Sequence, residues 1–227
     1  SFINCQEITD ENTLKQKLRQ LRQILMLQLM SADLSNQLLL EDVFQIMTRF
    51  ADFAVSITLD WFMHHLTERY GYPVNDQGEI QQLLVIAMGK LGSRELNVSS
   101  DIDLVFIYPE DGETQGTKSI TNDDFFSRLG KKIISTLSEN TADGFVFRVD
   151  MRLRPNGESG PLVCSLASLE NYFVAQGRDW ERYAWLRARN ITLYKDTEFN
   201  YIVKPFVFRK YLDFGTIDAM REIHREI

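Results

Sequence analysis

Three short apolar runs lie between stretches of helical periodicity, and they restrict the fold more than any other feature of the sequence. The runs are residues 83–88, 102–108 and 144–151. Runs of this length that are rich in β-branched and aromatic residues are typical of strands. One helical stretch, at about 123–138, separates the second run from the third. We therefore expect three strands of one small mixed sheet, with a helix between two of them.

Helical patterns surround this predicted core. Leucines recur at three- and four-residue steps within 11–30, and a second apolar stripe extends from about 41 to 69. This spacing places the apolar side chains on one helix face. Asn122, Ser165 and Asp179 are the predicted N-caps of the helices that follow. The predicted division is an N-terminal helical part, 1–75, an α/β core, 76–163, and a C-terminal helical part, 164–227.

Composition limits the class of function and the cellular setting. Net charge is −7, with 25 Lys and Arg against 32 Asp and Glu, which argues against nucleic-acid binding through global charge. Cys5 and Cys164 form neither a disulfide framework nor a zinc motif, so a reducing cytoplasm is expected. No run reaches transmembrane length and no signal peptide opens the chain, so we expect no membrane partner. The first residue is Ser1, and both ends suggest a fragment of a longer protein.

The second predicted strand opens on two aspartates, Asp101 and Asp103, shortly after a glycine-rich turn. Alternation along a strand places both carboxylates on the same face. Two such carboxylates repel each other unless a cation lies between them. The expected cation is Mg²⁺, with Mn²⁺ as a substitute, because Mg²⁺ prefers oxygen ligands and usually also binds phosphate oxygens.

The glycine-rich turn is a candidate phosphate-binding loop. Gly92 would let the backbone approach a phosphate, and Ser93 adds a hydroxyl group and a free N–H. Ser100, directly before the acids, belongs to the same predicted set. Lys90 and Arg94 flank the turn and could contact phosphate, although either could equally be a solvated loop charge. Acids beside a phosphate site suit phosphoryl or nucleotidyl transfer.

The third predicted strand supplies another acid among arginines. Alternation would place Arg148, Asp150, Arg152 and Arg154 on one face. Asp150 would complete the metal site, and the planar guanidinium groups would bind anionic oxygens. An isolated pair of aspartates is also common at solvated strand edges. The combination of the turn, the pair and the later acid favours a catalytic site.

Several of these motifs resemble bacterial glutamine synthetase adenylyltransferase. The matching segments are residues 88–104 (MGKLGSRELNVSSDIDL), 148–155 (RVDMRLRP), 157–162 (GESGPL), 176–184 (QGRDWERYA), 187–189 (RAR) and 205–211 (PFVFRKY). The resemblance covers about residues 80–215. Ser93 departs from it, because a second glycine is usual there.

The resemblance implies an α+β nucleotidyltransferase fold of the polymerase beta-like type. The family is bifunctional: one half adds AMP to a tyrosine of glutamine synthetase, and the other removes it by phosphorolysis and releases ADP. Residues 97–100 and 177–182 look like those of the N-terminal, adenylyl-removing half. The implied partners are adenylylated glutamine synthetase, inorganic phosphate, ADP and the PII signal protein.

The implied chemistry gives the candidate residues their roles. Inorganic phosphate would attack the α-phosphorus, and metal at Asp101, Asp103 and Asp150 would stabilise the attacking and leaving oxygens. Arg152 or Arg154 would bind the incoming phosphate. Two alternatives remain open: an adenylylating half that uses ATP, and a nucleotide-sensing module without turnover.

Three further charged residues are candidates for the site. Arg178 and Arg182 could form a wall of the phosphate or nucleotide pocket, or could make ordinary charge pairs on an amphipathic helix. Glu158, in a loop rich in Gly and Pro, could help to place substrate.

Overall fold

A computed structural model of the chain describes residues 8–208. The helices in this range are α1 (Glu11–Leu34), α2 (Leu40–Tyr70), α3 (Gly89–Gly92), α4 (Asn122–Ser138), α5 (Leu166–Ala175), α6 (Asp179–Trp185) and α7 (Asp196–Val207). The strands are β1 (Tyr72–Val74), β2 (Leu84–Ala87), β3 (Ile102–Tyr108), β4 (Glu113–Gln115), β5 (Val149–Asp150), β6 (Val163–Ser165) and β7 (Arg189–Asn190). A short 3₁₀ helix covers Gly157–Ser159. Cys5 and the last three residues of the 205–211 motif lie outside the described residues.

The main sheet is mixed, as predicted, and β3 is its centre. β2 pairs with β3 antiparallel, β5 pairs in parallel with the start of β3, and β6 pairs in parallel with its end. β7 adds to the outer edge of β2, so the sheet has five strands within the described residues. All three predicted strand regions contribute to this sheet. β1 and β4 form a separate antiparallel pair.

Alternation along β2 and β3 divides the core between the two faces of the sheet. Val85, Ala87, Leu104 and Phe106 pack in one cluster with α1, α2 and α4. The intervening residues of both strands pack in a second cluster with α5, α6 and α7. The structure is thus an α+β arrangement with helices on both faces. None of the helices within residues 8–208 is long and apolar enough to cross a membrane.

The third predicted strand is much shorter than expected. Val146 and Phe147 donate their backbone N–H groups to the carbonyl oxygen of Leu137, at 2.9 and 3.0 Å. Their side chains are buried in the core cluster that includes α2 and α4, and the Phe147 ring lies 5.3 Å from that of Phe50, so this segment closes the end of α4 instead of joining the sheet. Only Val149 and Asp150 pair with β3, and the chain turns after Asp150. The prediction that 144–151 forms one strand is therefore wrong outside these two residues.

Two predicted N-caps also differ from those observed. Thr121, not Asn122, caps α4, because its hydroxyl accepts the N–H of Asp124 at 3.2 Å. Asn122 is buried, and its side-chain amide donates to the carbonyl oxygens of Val74 and Glu110. Arg178, not Asp179, occupies the N-cap of α6, and its N–H is accepted by the carboxylate of Glu181. Ser165 caps α5 as predicted.

A buried arginine fixes the turn that leads into β5. Arg19 of α1 is 1% exposed and donates to the carbonyl oxygens of Gly144 (2.7 Å), Lys15 (2.9 Å) and Glu139 (2.5 Å). Burial lowers the pKa of Arg19, although it is surrounded by acceptors. These bonds attach residues 139–144 to the N-terminal helix, which restricts where β5 and its aspartate can lie.

Candidate active site

The three predicted acids lie together where β3 and β5 begin to pair. Asp103 and Asp150 are opposite each other in the parallel ladder, and Asp101 directly precedes β3. Ile102 donates its N–H to the carbonyl oxygen of Arg148 at 2.9 Å, which holds this end of the ladder closed. The acids line an open cleft of about 470 Å³. Its lining residues are Gly89, Lys90, Asn97, Ser99, Ser100, Asp101, Asp103, Arg148, Asp150, Arg152 and Arg187.

Asp103 is the central and least solvated of the three acids. Burial raises its pKa, and the negative charges of Asp150 and Asp101 add to that effect, while Arg152 and Lys90 oppose it. A Cβ atom at Gly89 would lie 2.6 Å from Oδ2 of Asp103, so any larger residue there would require this carboxylate to shift. Gly89 also has a φ of +52°, which favours glycine independently.

Arginines hold the other two carboxylates. Nε of Arg148 is 2.5 Å from Oδ1 of Asp101. Arg152 contacts Asp150 through Nε (2.8 Å), Nη2 (2.5 Å) and its backbone N–H (2.8 Å). These bonds hold the pKa of Asp150 below its usual value. Among residues 8–208, no three acidic, histidine or cysteine side chains are arranged as a metal site.

The donor set nevertheless fits a hard divalent cation. Asp101, Asp103 and Asp150 offer carboxylate oxygens in one cleft, and Mg²⁺ prefers such ligands. Burial is the main cause of the raised pKa of Asp103, and the negative charges of Asp150 and Asp101 add to it, so a cation beside this carboxylate would favour its ionised form. A cation bound through Oδ1 of Asp101 or Oδ2 of Asp150 would have to displace Arg148 or Arg152, because their guanidinium groups occupy those oxygens.

The turn before β3 is held by Asn97, which sequence reasoning did not select. Its Oδ1 accepts from Ser99 N–H (3.2 Å) and from the hydroxyl of Ser100 (2.8 Å). Ser100, predicted to bind phosphate, therefore lies in the cleft, but its hydroxyl group already donates its hydrogen bond to Asn97. The signal in the sequence was an Asn two residues before a Ser, which is typical of an Asx turn.

Two arginines of the cleft were also absent from the predicted phosphate-binding set. Arg148 stood on the predicted face of the third strand but was not selected. Arg187 comes to the cleft because β7 returns to the edge of β2, and a two-residue strand has no recognisable pattern in the sequence. Arg189 secures this return, since its guanidinium makes two bonds of 2.9 Å to Asp52 of α2.

Gly92, Ser93 and Arg94 are not among the residues that line the cleft. Gly92 ends α3, where a Cβ atom would collide with the carbonyl oxygen of Arg187 and lie 2.8 Å from that of Ala87. The N–H of Ser93 is used within α3, where it donates to Gly89. Arg94 faces a different cavity, beside the N-terminal half of α2. Lys90 alone of the predicted turn residues contributes to the cleft.

Arg154 stabilises a loop, because the strand predicted to carry it ends at Asp150. Its guanidinium donates to the carbonyl oxygens of Met151 (2.8 Å), Glu158 (3.1 Å), Gly160 (3.3 Å) and Pro161 (3.2 Å). The side chain thereby closes residues 151–161 into a compact loop. The side chain of Glu158 is exposed on this loop and does not line the cleft.

Arg154→Lys is expected to lower the free energy of unfolding by about 1–2 kcal/mol, because lysine cannot bridge four carbonyl groups with a planar fork. Chemical denaturation would measure the loss. Arg128→Lys, at an exposed arginine that pairs with Asp124, is the control and should change little. Unchanged stability with weaker phosphate binding would show instead that Arg154 serves the ligand.

Arg178 and Arg182 lie outside the acidic cleft. Arg178 lines a separate cavity of about 310 Å³ with Trp180, Tyr172 and Asn156. Arg182 is 2% exposed, and its guanidinium lies 4.8 Å from the ring centroid of Phe206. Both residues thus belong to α6 and its N-cap, and neither lines the cleft that holds the three aspartates.

The mixed α+β architecture and the acid-and-arginine cleft are compatible with the nucleotidyltransferase class. Comparison with known proteins is more specific. The family model for glutamate-ammonia ligase adenylyltransferase matches residues 3–202. The chain therefore belongs to the glutamate-ammonia ligase adenylyltransferase family.

Individual relatives agree with this membership. Three relatives are named bifunctional glutamine synthetase adenylyltransferase/adenylyl-removing enzyme. The chain is 54% identical to that of Aromatoleum aromaticum over 96% of its length, 52% to that of Nitrosomonas europaea over 97%, and 50% to that of Chromobacterium violaceum over 100%. It spans only 23–25% of the length of these relatives.

Proposed function

We propose that this chain removes AMP by phosphorolysis from an adenylylated tyrosine of glutamine synthetase. The observation that carries the proposal is the pairing of Asp103 with Asp150 across the parallel ladder, in one cleft with Asp101 and several arginines. A cleft with both carboxylates and guanidinium groups suits a reaction in which metal and phosphate groups meet.

The reaction transfers the adenylyl group between two oxygens. A bond forms from an oxygen of inorganic phosphate to the α-phosphorus, the bond to the tyrosine oxygen breaks, and the products are ADP and tyrosine. The phenolate is a good leaving group, since free tyrosine has a pKa of about 10, and it then takes a proton from solvent. Phosphate is already anionic near neutral pH, so no general base is needed.

The side chains of the cleft have complementary tasks in this scheme. Asp101, Asp103 and Asp150 would hold Mg²⁺, which supplies charge stabilisation at the attacking and leaving oxygens when bound. Arg148 and Arg152 would orient phosphate oxygens through charge-assisted hydrogen bonds. Lys90 and Arg187 line the same cleft and add positive charge.

One feature favours removal of AMP over its attachment: residues 97–100 resemble those of the adenylyl-removing half, and they form the turn that carries Ser99 and Ser100 into the cleft. Among residues 8–208, four cationic side chains line the cleft, which suits the binding of phosphate groups in either direction of transfer.

The proposal is tested by incubating this chain with adenylylated glutamine synthetase, inorganic phosphate and Mg²⁺. We expect ADP to appear in proportion to the AMP lost, and only when both phosphate and metal are present. Incorporation of AMP from ATP into unmodified glutamine synthetase, without ADP release, would establish the adenylylating alternative. Metal-independent nucleotide binding without turnover of either kind would indicate a sensing module.

A further inference from the structure

Arg148 and Arg152 compete with any cation for the carboxylates of the cleft. We infer that they are exchangeable anion ligands: each leaves its aspartate when a divalent cation binds, and then binds an oxygen of the phosphate group. The consequence is that cation and phosphate bind the cleft cooperatively. This inference rests on the proposed function, because it takes the three aspartates as the cation ligands.

The contacts show that each arginine occupies carboxylate oxygens that a cation could use. Arg148 holds Oδ1 of Asp101, and Arg152 holds Oδ2 of Asp150 with two nitrogens while its backbone N–H takes Oδ1. A cation and a guanidinium cannot both bind the same lone pairs at full strength. Cation binding must therefore release at least part of each arginine.

Solvent exposure of the two guanidinium groups lowers the free-energy cost of this release. The side chains of Arg148 and Arg152 are 61% and 71% exposed, and that of Asp101 is 46% exposed, so the Arg148–Asp101 pair contributes little to stability. Release of Arg152 costs more, because the side chain of Asp150 is only 17% exposed. Arg148 also contacts the carbonyl oxygen of Ser99 at 3.4 Å, and its Cζ lies 5.9 Å from the centroid of the Phe145 ring. Neither guanidinium is enclosed by packing that would prevent rotation toward the open side of the cleft.

Charge balance explains why the released arginines need an anion. Among residues 8–208, the cleft is lined by three carboxylates, those of Asp101, Asp103 and Asp150, and by four cationic side chains, those of Lys90, Arg148, Arg152 and Arg187. A divalent cation alone would leave a large excess of positive charge, which a phosphate dianion would offset. Because binding linkage is reciprocal, phosphate must then strengthen cation binding by the same factor.

The experiment measures Mn²⁺ binding to this chain by titration, with the free ion followed by electron paramagnetic resonance, in the absence and presence of inorganic phosphate. We expect phosphate to tighten Mn²⁺ binding about fivefold or more, the lower end of common coupling factors. Direct contact between phosphate and metal would also tighten Mn²⁺ binding. Variants of the two arginines therefore distinguish that contact from the exchange of arginine ligands.

Arg148→Gln and Arg152→Gln are expected to bind Mn²⁺ more tightly than the parent chain when phosphate is absent, because a competitor has been removed. Their response to phosphate should be smaller than that of the parent chain. Arg128→Gln removes an exposed arginine that pairs with Asp124 outside the cleft and should change neither quantity. All three side chains are at least 47% exposed, so the variants should remain folded.

Mn²⁺ binding in Arg148→Gln and Arg152→Gln that is no tighter than in the parent chain would overturn the inference. An undiminished phosphate effect in both variants would do the same. Cooperative binding with no ADP release from adenylylated glutamine synthetase would count against the proposed function alone. ADP release without coupling would count against this inference alone.

Discussion

Asp103→Asn is expected to lower kcat/KM for ADP release about 10³-fold, since the charge stabilisation that a ligated metal provides amounts to several kcal/mol. Asp103 lies between the other two acids and is the least solvated of them, so no neighbouring carboxylate can replace it. ADP release from adenylylated glutamine synthetase at saturating Mg²⁺ would measure the effect. Asp76→Asn, at an exposed turn outside the cleft, is the control.

The same substitution should leave the fold intact and make it more stable near neutral pH. Burial and two neighbouring carboxylates raise the pKa of Asp103 in the folded chain. The carboxyl group of Asp103 therefore loses its proton at a lower pH in the unfolded chain than in the folded chain. The folded state loses stability as the pH rises from the pKa of Asp103 in the unfolded chain through its pKa in the folded chain. The amide of the variant cannot titrate, so the variant should lack this loss. Unchanged turnover would contradict the catalytic role given to Asp103. A lower stability at pH 7 than that of the parent chain would contradict its raised pKa.

Much of the site could be predicted because local patterns specify it. The alternation of Asp101 and Asp103 in front of an apolar strand fixes their common face, and both acids lie in the cleft as expected. Asp150 joins them because its short strand pairs in parallel with β3. The helices before and after the core follow from apolar periodicity, which depends on neighbouring residues alone.

The remaining features depend on contacts between segments that are distant in sequence. The predicted alternation continued beyond Asp150 and therefore placed Arg154 with the arginines of the cleft. The strand has only two residues, because Val146 and Phe147 are buried in the core before it and the chain turns after Asp150. Arg187 enters the cleft only because β7 returns to β2. No local pattern in the sequence predicts either outcome, because both are decided by packing between separate elements.

Gly92→Ala is expected to destabilise the fold by about 3 kcal/mol through overpacking against backbone that cannot easily move. This glycine is another residue whose role depends on a contact between distant segments. A glycine after a strand is equally consistent with a phosphate loop and with close packing, and here the carbonyl oxygens of Arg187 and Ala87 occupy the space of a side chain. Chemical denaturation would measure the loss. Gly78→Ala is the control: Gly78 has a φ of +80° but open space around it, so it should lose only about 1 kcal/mol from left-handed strain. If Gly92→Ala kept its stability and lost phosphate affinity instead, the glycine would serve ligand approach; we expect the reverse, because the clash is with the segment that carries Arg187 into the cleft.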